Sequence, residues 1–320
     1  MIHSLTWPQA LQAGDKIALT APSSPVPKAN LEAAVASIRH LKLEPVVMPS
    51  CRLHHGYLAG PDQQRADDLN EAFAAKQIRG IFCLRGGFGA TRLLPLLDFQ
   101  SIRKNPKVFV GYSDITALHS AINKLCGFVT FHGPMPNTDY RRMDAFTLAS
   151  LKRNLFSPET LTCIDNPPHH RMEILNAGRA EGMLTGGNLS LLTGTLGSPY
   201  EVDTTDKLLF IEDVGERPYR LDKAFTALSL AGKFKDCRGI LLGTFSDCEE
   251  PPQDTVPRDT VIAADSLQIA EIVKEVILPW GKPVLWNLRA GHIYPQSTLP
   301  MGAGLRLDLS DPDLPRISVL

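Results

Sequence analysis

One serine of the chain stands where an apolar strand would turn directly into a helix. The segment is Lys107-Val-Phe-Val-Gly-Tyr-Ser-Asp-Ile-Thr-Ala-Leu-His119, in which Gly111 precedes Ser113 by two positions. This is the setting of a nucleophile elbow, where a tight turn exposes a serine hydroxyl above a sheet. The backbone N–H of Asp114 and the helix N-terminus would then face a developing oxyanion. The alternative is that Ser113 or Asp114 only caps the helix.

A glycine-rich segment follows another apolar run and precedes a predicted helix over 91–97. It reads Arg85-Gly-Gly-Phe-Gly-Ala-Thr91. Glycines at such a turn free backbone N–H groups to point at an anion or at a carbonyl oxygen. The segment is neither a Walker motif nor the Gly-x-Gly-x-x-Gly of dinucleotide folds. A tight turn that needs unusual dihedral angles remains the alternative.

The second half of the chain supplies carboxylates and one well-placed histidine. Glu212, Asp213 and Glu216 follow the apolar run Leu209-Phe-Ile, and a carboxylate at a strand end is suited to orienting a histidine. Spacing alone does not choose among the three, and a solvated loop with a helix cap is the alternative. His292 follows a strand and Gly291, which is a setting for a general base.

The elements that must position these residues alternate along the first half of the chain. Short apolar runs predict strands and amphipathic stretches predict helices, which is typical of βαβ units and a parallel sheet. Strands are predicted at 16–21, 44–48, 80–84 and 107–110, and helices at 29–41 and 62–76. Ligands of such sheets bind beyond the carboxyl ends of the strands, at the turns 22–25, 85–89 and 111–114.

Composition narrows the classes of protein that the chain can be. It has 320 residues and a formal net charge of -1, which predicts two domains and argues against broad binding to nucleic acid or to an anionic membrane surface. We see no secretory signal and no spanning apolar run, so we expect a cytoplasmic protein. The six cysteines are scattered, and no cluster has metal-ligand spacing, so we expect neither a metal nor a cofactor.

Taken in order, the motifs resemble the LD-carboxypeptidase family of serine peptidases, which includes the microcin-immunity hydrolases. The resemblance covers nearly the whole chain. Its pieces are Ile17-Ala-Leu-Thr-Ala-Pro-Ser23, Arg85-Gly-Gly-Phe-Gly89, Gly111-Tyr-Ser-Asp-Ile-Thr-Ala-Leu-His119, His132-Gly-Pro-Met135, Gly186-Gly-Asn-Leu189, Phe210-Ile-Glu-Asp213, Gly291-His292 and Leu299-Pro-Met-Gly302.

The resemblance implies roles that spacing could not assign. It implies a triad of Ser113 as nucleophile, His292 as general base and Glu212 as the group that orients the histidine. The oxyanion hole would be the N–H of Asp114 together with that of Gly86 or Gly87. The implied fold is α/β, with a Rossmann-like parallel-sheet domain at 1–165 carrying the serine. A smaller swivelling-type α/β domain at 166–320 would carry the other two members.

In the branch that looks nearest, the resemblance implies a murein tetrapeptide substrate. The enzyme would remove the terminal D-alanine after the L-centre of diaminopimelate during cell-wall recycling, and homodimers are usual in the family. A substrate that ends in a carboxylate calls for an arginine clamp. The candidates by nearness to the motifs are Arg85, Arg217, Arg220 and Arg289.

Two other functions remain open from the sequence. An immunity-type hydrolase of a peptidyl-nucleotide amide would need an aromatic shelf for the base, which Phe88, Tyr219 or a tryptophan could provide. A non-catalytic α/β binding protein would keep the cleft without the chemistry. The joint presence of Ser113, Glu212 and His292 speaks against the binding protein.

Overall fold

Two β-sheets organise the residues that the computed structural model describes, which are 4–250 and 266–320. Their strands are β1 (Lys16–Thr20), β2 (Glu44–Val47), β3 (Ile78–Cys83), β4 (Val108–Gly111), β5 (Thr130–His132), β6 (Glu173–Asn176), β7 (Arg179–Asn188), β8 (Leu208–Val214), β9 (Gly239–Ser246), β10 (Val284–Trp286), β11 (Leu299–Met301), β12 (Gly304–Asp308) and β13 (Arg316–Val319).

The helices pack between and around these strands. They are α1 (Lys28–His40), α2 (Asp62–Ala74), α3 (Phe99–Lys104), α4 (Thr116–Cys126), α5 (Ala145–Phe156), α6 (Leu189–Gly194), α7 (Pro218–Leu230), α8 (Lys233–Asp236) and α9 (Ile269–Val276). Among the described residues, no helix is both long enough and apolar enough to cross a bilayer.

The first sheet has the strand order β11-β5-β4-β3-β1-β2, and its strands are parallel except for β11. From β1 the chain moves outward to β2, whereas β3, β4 and β5 follow one another in the opposite direction. The topological switch point therefore lies between β1 and β3, where parallel α/β sheets bind ligands. The turns after β1 and β3 meet there, and β4 lies beside β3.

The second sheet has the order β13-β12-β7-β8-β9-β10-β6, with a parallel centre from β7 to β10. Strands β12, β13 and β6 pair antiparallel at its two sides. The predicted α/β fold class, with a Rossmann-like parallel sheet and a second α/β unit, is confirmed.

Alternating residues of the central strands enter separate cores on the two faces of each sheet. In the first sheet Ile81 and Phe109 pack with α2 and α4, whereas Phe82 and Val110 pack with α1 and α5. A strand that is buried on both faces reads as a continuous apolar run, as the sequence does here. Because each central strand is packed on both faces, its end is held in a fixed position, and so is the turn that follows it.

Two features differ from the sequence prediction. The segment predicted as a helix at 91–97 is a 3-10 helix over Ala90–Leu96, because Pro95 inside it cannot donate an intrahelical hydrogen bond. Strand β11 belongs to the second half of the chain yet pairs antiparallel with β5 of the first sheet. The division into 1–165 and 166–320 therefore stays a prediction, with β11 crossing between the sheets.

Candidate active site

Ser113 lies in the turn that joins β4 to α4, where the chain reverses through one 3-10 turn. Its φ is +64°, a left-handed conformation that costs a non-glycine residue about 1–3 kcal/mol and is found at functional sites. Gly111 makes room for this turn, since a Cβ there would lie 2.8 Å from the Ile115 side chain. The strained turn holds the Ser113 hydroxyl at the end of the sheet.

The glycine-rich loop after β3 packs directly against this serine. A Cβ on Gly86 would stand 2.7 Å from Ser113 Oγ and 3.4 Å from the Asp114 nitrogen, so only glycine fits. The φ of Gly87 is +117°, which glycine alone adopts readily. The loop backbone and the Asp114 N–H thus lie beside the same hydroxyl, where an oxyanion hole would have to be.

His292 and Glu212 form a hydrogen-bonded pair beside this turn. His292 Nδ1 lies 2.8 Å from Glu212 Oε2, and the Glu212 side chain is fully buried. Burial raises the pKa of Glu212, and the adjacent His292 opposes that rise. Because Nδ1 faces the carboxylate, the histidine's Nε2 is the ring nitrogen left for a second partner.

Contacts between the two sheets bring the pair next to the turn that carries the serine. Tyr112 is next to Ser113 in the chain, and its ring centroid lies 4.9 Å from that of His292 in an edge-on arrangement. On the other side of the turn, the Asn188 N–H at the end of β7 donates to Thr116 Oγ1 of α4 at 3.0 Å. Asn188 is also the register partner of Glu212 in the second sheet. The site therefore lies between the sheets.

The two carboxylates that competed with Glu212 have other partners. Asp213 accepts hydrogen bonds from Asn188 Nδ2 at 2.8 Å and from the Ser190 hydroxyl at 2.8 Å, which ties β8 to the start of α6. Glu216, two residues before α7, is paired with Arg220 of that helix at 3.4 Å on the surface. Glu212 and Asp213 point to opposite sides of β8 because side chains alternate along a strand.

The four candidate arginines are spread over different surroundings. Arg289 donates to the carbonyl oxygens of Pro295 at 3.2 Å and Tyr294 at 2.6 Å, which braces the loop that carries His292. Arg220 is exposed and committed to Glu216. Arg85, beside Gly86, makes one long hydrogen bond to the Pro25 carbonyl at 3.4 Å. Arg217 precedes α7 and is half-buried.

Sequence reasoning missed the residues that make the carboxylate–histidine contact possible. A Cβ on Gly291 would lie 2.5 Å from Glu212 Oε2, and Gly291 has a φ of +105°. A Cβ on Gly243 of β9 would lie 3.0 Å from the Glu212 Cβ. The glycine before His292 was a visible signal, but the Gly243 contact joins residues that only the sheet brings together.

His132, the first residue of the family-like piece His132-Gly-Pro-Met135, is wholly buried at the end of β5. Its ring packs edge-on against Phe210 at 5.2 Å, and burial lowers its pKa well below the ordinary value. Within 4–250 and 266–320 no group of three or more His, Cys, Asp or Glu side chains is arranged to hold a metal ion.

Known proteins share both the sequence and this architecture. Residues 17–133 match the LD-carboxypeptidase N-terminal domain, and residues 181–307 match the LD-carboxypeptidase C-terminal domain. A protein of Bacillus subtilis named probable murein peptide carboxypeptidase is 39% identical over 97% of this chain and 94% of its own length.

Two solved structures show the same fold over nearly the whole chain. The muramoyltetrapeptide carboxypeptidase from Oxalobacter formigenes has a TM-score of 0.79 at 28% identity, over 95% of this chain and 98% of that one. MccF in complex with glutamyl sulfamoyl guanosine has a TM-score of 0.85 at 25% identity, over 99% of this chain and 98% of that one. This chain therefore belongs to the LD-carboxypeptidase family.

Proposed function

We propose that the protein is a serine-type carboxypeptidase that removes the terminal D-alanine from murein tetrapeptide, after the L-centre of diaminopimelate. The observation that carries the proposal is the buried Glu212–His292 hydrogen bond beside the strained turn at Ser113. The murein substrate is supported by the name of the Bacillus subtilis relative and by that of the Oxalobacter formigenes structure.

In this proposal Ser113 is the nucleophile and His292 the general base. The hydroxyl oxygen adds to the carbonyl carbon of the scissile amide, while its proton passes to His292 Nε2. Glu212 holds the imidazole through Nδ1 and stabilises the imidazolium that forms. The negative charge on the former carbonyl oxygen is taken up by the N–H of Asp114 and that of Gly86 or Gly87.

Collapse of this intermediate breaks the amide bond. The imidazolium gives its proton to the departing amine of D-alanine, which leaves an ester between Ser113 and the peptide. Water then attacks the ester carbonyl, with His292 accepting one of its protons and returning it to the serine oxygen. The products are D-alanine and the tripeptide, and the enzyme recovers its starting protonation state.

The substrate's terminal carboxylate needs a cation near the serine. Arg85 stands next to Gly86, and among the described residues its side chain makes one long contact, to the Pro25 carbonyl, so that guanidinium donors remain for a ligand. Arg217 is the second candidate, whereas Arg289 and Arg220 serve the contacts described above. The division of the chain at 165, the homodimer and the cytoplasmic location remain part of this proposal.

Hydrolysis of a peptidyl-nucleotide amide is a second candidate, because the fold likeness to MccF is as extensive as that to the carboxypeptidase. Phe88 of the glycine-rich loop and Tyr57 form an exposed aromatic pair with ring centroids 5.6 Å apart. Aromatic faces of this kind can stack on a base. The relative that is 39% identical favours murein peptides as the main function.

Mass spectrometry of murein tetrapeptide incubated with the wild type and with Ser113→Ala tests the proposal. We expect the wild type alone to release one alanine, and the variant to lose activity by about 10⁴-fold or more while remaining folded. Ser120→Ala is the matched control, because Ser120 is a buried serine of α4 whose hydroxyl has no hydrogen-bond partner among the described residues.

A parallel incubation with an aminoacyl sulfamoyl adenosine separates the two hydrolases. Cleavage of that compound in place of the tetrapeptide would transfer the function to the second candidate. Binding of tetrapeptide without turnover would indicate the non-catalytic protein. Near-normal activity of Ser113→Ala would remove the serine from the mechanism.

A further inference from the structure

Two charged side chains are fully enclosed beneath the glycine-rich loop, and the mechanism above uses neither of them. Asp114 is 1% exposed, and Arg65 of α2 is 0% exposed. Burying a charge costs several kcal/mol unless hydrogen bonds offset it, so such groups call for a reason. Their contacts supply one.

The two charges hold opposite ends of a single peptide group. Arg65 Nη1 donates to the Gly89 carbonyl oxygen at 3.1 Å. Asp114 Oδ2 accepts from the N–H of Ala90 at 2.8 Å. The carbonyl and the N–H belong to the same planar peptide unit, which ends the glycine-rich loop. Hydrogen bonds to charged groups are the stronger kind, so this peptide is held firmly.

The same pair also holds the turn after β1. The Ser23 hydroxyl donates to Asp114 Oδ2 at 2.5 Å, and Arg65 Nη1 donates to the Pro22 carbonyl oxygen. The neighbouring Ser24 continues the contact, because its hydroxyl oxygen accepts from the Phe88 N–H at 3.2 Å. The two turns at the topological switch point are therefore joined through one buried carboxylate and one buried guanidinium.

The loop needs such support because glycines do not fix their own conformation. Gly87 and Gly89 have φ values of +117° and +125°, and glycine enters and leaves these regions at little cost. Gly86 meanwhile lies against Ser113, where small shifts matter. A displacement of about 1 Å at a reacting centre can cost about 10²-fold in rate.

We propose that the Asp114 side chain and Arg65 are positioning residues, which act through the Gly89–Ala90 peptide to keep the Gly86–Gly87 backbone in its oxyanion-binding conformation. This inference rests on the proposed function and adds to it. The backbone N–H of Asp114 faces the reacting oxygen, while its carboxylate serves the loop from behind. Burial raises the pKa of Asp114, and the hydrogen bonds from Ser23 and Ala90 oppose that rise.

The test compares Asp114→Ala and Asp114→Asn with the wild type. Alanine keeps the backbone N–H but removes the acceptor for Ala90 and Ser23, so kcat should fall by about 10²-fold with KM little changed. Asparagine can place its amide oxygen where Oδ2 stands, so it should recover most of kcat. This rescue by the conservative variant is expected of a positioning group.

A readout specific to the oxyanion site separates positioning from general damage. The probe is a peptide aldehyde that ends in the carbonyl of the diaminopimelate residue. The Ser113 oxygen bonds to the aldehyde carbon while its proton passes to His292, the C=O bond becomes a single bond, and the resulting oxyanion occupies the oxyanion hole. For Asp114→Ala we expect its Ki to rise by about the same factor as kcat falls, while the Kd of the tripeptide product stays within about twofold.

Asp68→Ala is the matched control. Asp68 of α2 is also 1% exposed, and its carboxylate accepts from the Ser50 N–H at 2.7 Å and from Gln64 at 2.8 Å, neither of which belongs to the glycine-rich loop. We expect this variant to lower Tm and leave kcat and the aldehyde Ki unchanged. If Asp114→Ala does not fold, Ser23→Ala removes one of the same hydrogen bonds and should lower kcat in the same way, to a smaller extent.

Three outcomes would contradict the inference. Asp114→Ala and Ser23→Ala could both retain kcat and aldehyde Ki within about threefold of the wild type. Aldehyde and product affinities could instead fall equally, which would show a general loss of the cleft. A wild-type enzyme that neither cleaves tetrapeptide nor binds the aldehyde would refute the proposed function, and this inference with it.

Discussion

Replacing Gly291 by alanine should separate Glu212 from His292 while both of these residues keep their identity. The added methyl group would stand 2.5 Å from Glu212 Oε2, 2.8 Å from its Cγ and 2.9 Å from its Cδ, whereas ordinary van der Waals contact begins near 3.4 Å. The carboxylate would have to withdraw by about 0.9 Å to relieve the overlap. Its position is confined because it is fully buried.

The expected loss of activity follows from that displacement. The hydrogen bond from His292 Nδ1 to Glu212 Oε2 is 2.8 Å long, and a withdrawal of about 0.9 Å takes it beyond the range of a hydrogen bond. Misplacing a catalytic group by about 1 Å costs about 10²-fold, and loss of the correctly oriented carboxylate in a serine peptidase costs about 10⁴-fold. We therefore expect kcat to fall between these limits.

Gly281→Ala is the control for the backbone strain that alanine introduces at a left-handed position. Gly281 has a φ of +66°, and a Cβ there would meet nothing within 4 Å. Alanine in a left-handed conformation costs about 1–2 kcal/mol, so Gly281→Ala should lower Tm and keep kcat. Gly291 has a φ of +105°, so Gly291→Ala should show a comparable or larger fall in Tm together with the loss of kcat.

The assay is release of D-alanine from murein tetrapeptide, measured as kcat and KM per mole of folded enzyme, with thermal unfolding followed in parallel. KM should change little, because the carboxylate acts on the histidine and not on the substrate. If folded Gly291→Ala keeps kcat within about threefold of the wild type, Glu212 does not act through the contact described here.

Two further predictions concern the carboxylate and the stability of the fold. Glu212→Gln should lower kcat by about 10²–10⁴-fold with a smaller change in KM, whereas Glu216→Gln, at the surface before α7, should be close to the wild type in the same assay. The reverse order would show that the carboxylate is wrongly assigned. Burial lowers the pKa of His119 to about 4 from 6.5. Between these pH values the unfolded chain binds a proton at this residue and the folded protein does not. Stability should therefore be unaffected by this residue above pH 6.5 and should fall by up to about 3 kcal/mol as the pH drops to about 4. In urea unfolding, His119→Gln should flatten this part of the pH dependence, and an unchanged slope would contradict the cause.

Much of the fold could be predicted because its strongest signals are local. The strand at 16–21 and the helix at 29–41 agree with β1 and α1 to within a residue or so, since burial on both faces and amphipathic spacing are written into consecutive residues. The order of strands and helices then predicts a parallel sheet.

The features that were missed depend on pairing across long stretches of chain. The segment 182–197 carries no strand or helix prediction, yet it forms most of β7 and all of α6. Glycine has a low strand propensity, but a Cβ on Gly186 would lie 2.0 Å from the Phe210 carbonyl oxygen, so the close approach of β8 requires it. Strand β11 contains Pro300 and pairs with β5, which no local pattern predicts.

By itself the sequence determined the pieces of the site that consecutive residues build. The strand-to-helix turn at Ser113 and the glycine-rich loop after β3 follow from apolar runs, glycines and the spacing between them. A carboxylate at the end of β8 follows in the same way. These features depend on the backbone preferences of neighbouring residues, which the sequence displays directly.

Only the tertiary structure decided how the pieces meet. Glu212 faces His292 whereas Asp213 faces Asn188, because strand alternation and sheet register send the two side chains to opposite faces of β8. Arg289, a candidate for the substrate carboxylate, also donates hydrogen bonds to the loop that carries His292. Such contacts join residues far apart in the chain, and their geometry is set by the packing of the sheets against each other and not by any neighbouring residue.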